Sequence, residues 1–144
     1  MTTTVARATS PAPARVGDRV RDAVLLAFRL VICFLFTLHG VMAFGAFGGV
    51  DGQGGSAPAF TMGWWAGVIE TVGALLIAVG FCTRAAAFVL SGVMAFAYFT
   101  VHAPMGWNPI FNMGEPAALY SWIFLLIWAV GGGRYTVDAL RSAR

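Results

Sequence analysis

Four apolar stretches, at about residues 24–47, 62–82, 84–101 and 116–130, take up most of this chain and leave three connections between them. A hydrocarbon core roughly 30 Å thick asks for about 20 apolar residues per helix. Inside it every backbone N–H and C=O must find its partner within its own segment, so spans of this kind are helices. The chain is therefore expected to be all-α, an integral membrane four-helix bundle occupying residues 23–140 as one domain. Composition agrees: 59% of the 144 side chains are hydrophobic and 10% are charged, an apolar share above and a charged share below those of soluble domains. The connections are the Gly-rich "GAFGGVDGQGGSAPAF", a tight turn at "FCTR" and the proline-bearing "APMGWNPIFNMG". No length remains for a soluble domain.

All nine basic residues are arginine, at positions 7, 15, 19, 21, 29, 84, 134, 141 and 144, and the first and third connections contain none. The positive-inside rule then places both termini and the middle turn in the cytoplasm. The expected location is the bacterial cytoplasmic (inner) membrane, crossed several times, with the lipid bilayer as the first partner. Nucleic acid is not an expected partner, because the basic residues are split among three segments instead of forming one aromatic-interleaved patch. Residues 1–22, rich in Thr, Ala, Pro and Arg, read as a flexible cytoplasmic tail. The length of that head, and of the apolar stretch behind it, fits a retained first span and not a cleaved signal peptide. Cys33 and Cys82 fall in the cytoplasmic half, where thiols stay reduced; with no CxxC present, both are expected to be small apolar packing residues.

Gly63 and Gly67 in the second stretch, and Ala87, Ser91 and Ala95 in the third, recur every four residues and are expected helix-packing faces. Trp64, Trp65, Tyr98, Trp107 and Tyr120 lie near the outer boundary and read as an aromatic belt. "GGVDGQGG" lacks the Lys-Ser/Thr of a phosphate cradle and reads as a flexible loop.

The ionisable groups can be given depths from the helical rise. Glu70 lies roughly 18 Å and His39 about 22 Å from the cytoplasmic face, a similar level just outside the midplane. His102 and Glu115 stand near the outer mouth, with Asn108 and Asn112 in the loop between them. An acid held at mid-helix costs at least ~2.5 kcal/mol on insertion scales, so an intramembrane carboxylate is a functional suspect. The competing reading is structural: a protonated Glu70 bonding a neighbouring helix. Arg29, Arg84, Asp22 and Asp138 all fall at the cytoplasmic face, and a structural ionic cluster of Arg29, Arg84 and Asp138 is expected to tie the termini to the middle turn.

Two histidines and two carboxylates spread over about 10 Å of depth do not make a metal shell, so no metal site is expected. Covalent haem is not expected without CxxCH, although either histidine can in principle serve as an axial ligand. One ionisable pair between aliphatic and aromatic walls suits a quinone: His39 as the ligand to a carbonyl, Glu70 as the proton acceptor, and His102, Asn112 and Glu115 as further cofactor-binding candidates. The same pair suits a proton relay.

The blocks Arg29…His39-Gly40, Glu70-x-x-Gly73-x-Leu75-Leu76-x-x-x-Gly80-x-x-Thr83-Arg84-x-Ala86-Ala87, Asn112-x-Gly114-Glu115-x-Ala117-x-x-Tyr120 and Gly131-x-Gly133-x-x-x-x-Asp138 resemble the DoxX family of small four-helix membrane proteins. The resemblance runs from about Arg29 to Asp138. It implies kinship with DoxD-type subunits that feed thiosulfate oxidation into the quinone pool, and partners among soluble thiol-redox, sulfur-oxidising or superoxide-detoxifying proteins. The chain departs from the family where a lysine often follows the His-Gly pair, reading "HGVMAF" instead. It departs again where a Ser-x-Asp ending reads Thr136-Val137-Asp138.

Three functional classes follow. The chain is expected to serve as a subunit or accessory of a quinone-linked oxidoreductase system. The alternatives are a non-enzymatic scaffold whose Arg-rich cytoplasmic ends recruit a redox or detoxification enzyme, and a small-solute or proton transporter. A second copy of the chain is a further possible partner. Transport ranks last, because neither internal repeats nor broken helices are visible.

Overall fold

The computed structural model describes residues 16–143, so expectations that fall on residues 1–15 lie outside the described residues. Five α-helices and no strand are present among them: α1 (Val16–Met42), α2 (Met62–Val79), α3 (Thr83–Ala97), α4 (Glu115–Val130) and α5 (Val137–Ser142). The chain is all-helical, as its apolar stretches require. Three helices are long and apolar enough to cross a membrane: α1, α2, and α3 together with its continuation to Met105; α4 is apolar but shorter, at 16 residues.

The ends of the helices follow local chemistry. Residues 16–22, placed by sequence in a flexible tail, form the first two turns of α1. Asp18 in the first turn suits the positive end of the helix dipole, and nothing requires an apolar coat before the helix meets lipid. α1 stops at Met42, short of the expected residue 47, where Gly45 (φ 88°) turns the chain out of the helix. The side chain of Thr61 caps α2 by accepting from the N–H of Trp64, and Gly80 (φ 75°) ends it in the left-handed conformation. α3 does not stop cleanly: it widens into a π-helical turn, Tyr98–His102, then tightens into a 3-10 turn, Ala103–Met105.

The core draws on four helices: Cys33 and Phe36 from α1, Ala74 and Ile77 from α2, Ala87, Leu90 and Met94 from α3, Phe124 and Ile127 from α4. Gly73 lets α2 and α3 meet, because a Cβ there would stand 2.7 Å from the Leu90 side chain. Phe36 is the wedge between α1 and α4, edge-on to Phe124 at 4.7 Å and tilted against Tyr120 at 4.9 Å. Tyr120 is half-buried, and one side of its ring packs on this aromatic cluster. Tyr98 is also buried, and its hydroxyl donates to the carbonyl of Trp107 at 2.7 Å. Trp65 and Trp107 are exposed, as belt residues are. Cys33 is buried as expected, whereas Cys82 is exposed at the N-cap of α3, held at φ 49° by the tight turn.

Where the sequence suggested an ionic cluster of Arg29, Arg84 and Asp138, the structure has a backbone tie instead. The Arg29 side chain, 2% exposed, donates through Nη1 to the carbonyl of Gly132 and through Nη2 to the carbonyls of Ala78 (3.3 Å) and Tyr135 (2.7 Å). Asp138 accepts from the N–H of Cys82 (2.8 Å), and from the N–H (2.8 Å) and hydroxyl (2.9 Å) of Thr83. It caps α3 from a distant segment. Arg84 is exposed, and the ion contact among the described residues is Arg21 with Asp22 at 3.9 Å. The reason is that the last carbonyls of α2 and of the glycine turn after α4, and the first N–H groups of α3, have no intrahelical partners. Buried charged groups bond these first.

Two outcomes follow. Arg29→Leu orphans three carbonyls and is expected to cost about 3 kcal/mol or more, read as a lowered thermal midpoint in detergent, with Arg29→Lys recovering only part because an ammonium lacks the planar fork. For Asp138, burial works against the charge, but the bonds from Thr83 and Cys82 and the nearby Arg141 outweigh it and hold the carboxyl below its ordinary value of 3.8. A depressed folded value means stability that is fully present above the ordinary value and lost as pH falls through the folded one. Asp138→Ala should therefore cost about 1–2 kcal/mol at neutral pH, and the gap between wild type and variant should close as pH drops below 3.8.

Candidate functional site

Glu70 sits in the middle of α2, where the helical period turns it inward: the residue is 7% exposed. No described residue gives its carboxylate a hydrogen bond; burial is the one influence on it. His39 lies in the last turn of α1. Its ring stacks on Phe36, one turn earlier, at 6.3 Å and 18° between planes, and it has no hydrogen-bond partner among the described residues either. Both side chains line one cleft of about 310 Å³, walled by Met42 and Ala43 of α1, Gly63, Ala66 and Gly67 of α2, and Val50 from the connection between the helices. The expectation that Glu70 and His39 share a level extends to a shared cavity.

Close helix approach positions the pair. A Cβ on Gly40 would meet the Thr71 hydroxyl oxygen at 2.7 Å and the Glu70 Cβ at 3.1 Å, and a Cβ on Gly67 would press on Ala43 and the Gly40 carbonyl. Only glycine permits this contact, which sets α1 one residue from Glu70. Of the two glycines expected to pack, Gly67 does so against α1, whereas Gly63 faces Ala57 of the connection at an ordinary 3.6 Å.

The connection expected to be a flexible loop is folded. Val50 N–H bonds the carbonyl of Gly55 at 2.9 Å, Gly54 N–H that of Gly48 at 2.7 Å, and Ala57 N–H that of Ala43 at 2.8 Å. Asp51 accepts from the N–H groups of Gln53 and Gly55, both at 2.8 Å; these bonds hold its carboxyl below the ordinary range. The strap so formed carries Val50 onto the cleft. Val50 and Phe36 are site residues that sequence reasoning missed. Phe36 had a signal, three residues before His39 on the same helix face, and Val50 had one as the branched apolar side chain within "GGVDGQGG".

The outer candidates divide. His102 lies in the π-helical turn, near enough for the charges of the two imidazoles to interact, but its Nδ1 is 3.0 Å from the carbonyl of Asn112. Asn112 is buried, donates to the Gly106 carbonyl at 2.6 Å and accepts from the N–H of Gly114 at 2.8 Å, so it staples its own loop. Glu115 is exposed in the first turn of α4, the position the helix dipole favours for an acid. Neither Asn112 nor Glu115 lines the cleft of Glu70 and His39. No group of three or more potential metal ligands occurs among the described residues.

With that geometry in place, comparison with known proteins becomes informative. The family model described as DoxX matches residues 24–103, more than half of the chain and the whole of the segment that carries Arg29, His39, Glu70, Arg84 and His102. The chain belongs to the DoxX family. It is 40% identical over 124 residues, 84% of its own length and 92% of the relative's, to a protein of Haemophilus influenzae (strain ATCC 51907 / DSM 11121 / KW20 / Rd) named "Uncharacterized protein". No solved structure matches. Family membership and apolar helices together make this DoxX protein a membrane protein.

The close approach behind the cleft gives a measurable contrast. Gly40→Ala is expected to lower stability by about 1–3 kcal/mol through overpacking, whereas Gly92→Ala, where a Cβ meets nothing within 4 Å, should leave the thermal midpoint in detergent unchanged or raised.

Proposed function

We propose that this DoxX protein is a multi-pass protein of the bacterial cytoplasmic membrane, with α1 to α4 as a four-helix bundle and both termini cytoplasmic, and that it is a subunit of a quinone-linked oxidoreductase system. The observation that carries this reading is Glu70, a residue 7% exposed whose carboxylate has no hydrogen-bond partner among the described residues and opens onto a cleft that it shares with His39. The structural alternative asked Glu70 to bond a neighbouring helix, and no described residue accepts or donates there. The carboxylate is therefore free to bond a group that enters the cleft.

The residues present suit a quinone head. A cleft of about 310 Å³ lies at the small end of ligand pockets, and its walls are apolar apart from the two convergent polar groups. His39 would hold the ring by donating to a carbonyl oxygen, with Phe36 fixing the imidazole plane. Glu70 would hold and release the proton that accompanies electron transfer, and Val50 and Met42 would exclude water. When bound, the quinone supplies the two-electron chemistry. Electrons must then come from a partner, by class a soluble redox enzyme or sulfur-oxidising subunit.

One observation favours the scaffold reading. Arg29 and Asp138 are consumed in backbone bonds, whereas Arg19, Arg21, Arg84, Arg134 and Arg141 are exposed at the same end of the molecule, a surface open to an acidic partner. The two readings separate in one experiment. Lipid-soluble molecules are extracted from purified wild type and from Glu70→Gln and identified by mass spectrometry. Quinone recovered from the wild type and lost from the variant is the expected result; quinone in neither returns Glu70 to a structural role and favours the scaffold.

A further inference from the structure

The cleft of Glu70 and His39 holds a ring and no more, yet membrane quinones carry long apolar tails. α2 has a second apolar recess on its other side, against α3. Met62, Trp65, Ala66 and Ile69 of α2, with Val89, Gly92, Val93 and Phe96 of α3, wall a groove of about 530 Å³. A further groove of about 380 Å³ continues it towards the α2–α3 turn, from Val68 and Val72 to Ala85 and Cys82. The two grooves share Ile69 and Val89, so they form one track. The first also shares Ala66 with the Glu70 cleft. A methyl group is thus the rim between head cleft and groove. Along α2, Met62–Val79, the track follows about 27 Å of helix, close to the thickness of the hydrocarbon core.

The groove is not required by packing within the chain. Gly92 faces it with open space where its Cβ would be, and glycine in mid-helix costs roughly 0.5–1 kcal/mol relative to alanine. Where α2 and α3 do pack, the glycine is Gly73, filled by Leu90. Gly92 keeps the groove deep without serving that contact.

We infer that the α2–α3 groove is the seat of the polyisoprenoid tail of the ligand whose head enters the Glu70–His39 cleft. This rests on the quinone reading and goes beyond it, assigning the ligand class as long-tailed and the contact as lying on one helix pair. Affinity then grows with tail length, because each unit laid in the groove adds buried apolar area.

The test uses the full chain in detergent, with ubiquinone bearing a single isoprene unit and ubiquinone bearing a long tail as the two probes. Wild type is compared with Gly92→Leu, which fills the groove. Leucine is a stronger helix former than glycine and its Cβ meets no neighbour, so the variant is expected to fold, and its thermal midpoint checks that. The expected result is a variant that loses the long-tailed probe by about tenfold or more in Kd and the short-tailed probe by less than about twofold. Equal affinity of wild type for the two probes, or equal weakening of both in the variant, overturns the tail assignment while leaving the head site standing. No binding of either probe to wild type overturns the quinone reading itself. A second groove variant, Ala85→Leu, must repeat the pattern; selective loss in neither variant rejects the groove.

Discussion

One side chain has to satisfy backbone that no helix can. At the end where α2 stops and the chain leaves α4, Arg29 reaches three backbone carbonyls from a third helix, α1. In hydrocarbon an unsatisfied backbone group costs several kcal/mol, so the choice of an arginine inside an apolar span has a concrete cause. Its charge is solvated by peptide dipoles instead of by a carboxylate. Both Nη groups of the fork are taken up by these carbonyls, and Nε has no partner among the described residues. Asp138 does the complementary work on N–H groups: it closes the start of α3 and in doing so fixes the turn between α2 and α3. The bond from Arg29 to Ala78 joins α1 to α2 at this end, as the close approach of Gly40 and Gly67 joins them beside Glu70.

Much of this was legible in the sequence, and the rest had physical reasons for being hidden. Apolar run length alone gives the helices, because lipid leaves few alternatives, and the depth count placed Glu70 beside His39 because 1.5 Å per residue is nearly invariant. Charge sign and depth grouped Arg29 with Asp138, but sequence cannot say whether opposite charges bond each other or the backbone between them. That depends on which helix ends meet, a tertiary fact. The contacts of Tyr120 and Asn112 were hidden for a related reason: an amphipathic ring and an amide are equally at home at the interface and inside, provided a partner exists. Asn112 found its partners in its own loop. The fold of the glycine-rich strap was invisible because its backbone bonds are specified by positive-φ glycines and by Asp51, which read equally well as flexibility.

The two ends of the molecule treat polar groups in opposite ways. At the Arg-rich end the buried groups are tied into a network. Around the cleft the same chain leaves Glu70 without a partner, and next to it the buried hydroxyl of Thr71. Neither omission follows from a shortage of bonding groups, since serine and threonine side chains routinely bond the preceding turn of their own helix. The omission follows from the close approach of Gly40, which holds α1 against Thr71 and turns Glu70 towards the cavity. The cost of a buried acid without a bond is a sizeable part of a net stability of about 5–15 kcal/mol, and the carboxylate oxygens escape it in part by opening onto the cleft. The acid faces a cleft walled by His39, Met42 and Val50, so a group that bonds it there must enter that cleft, and the reading proposed for this protein puts a quinone head in it.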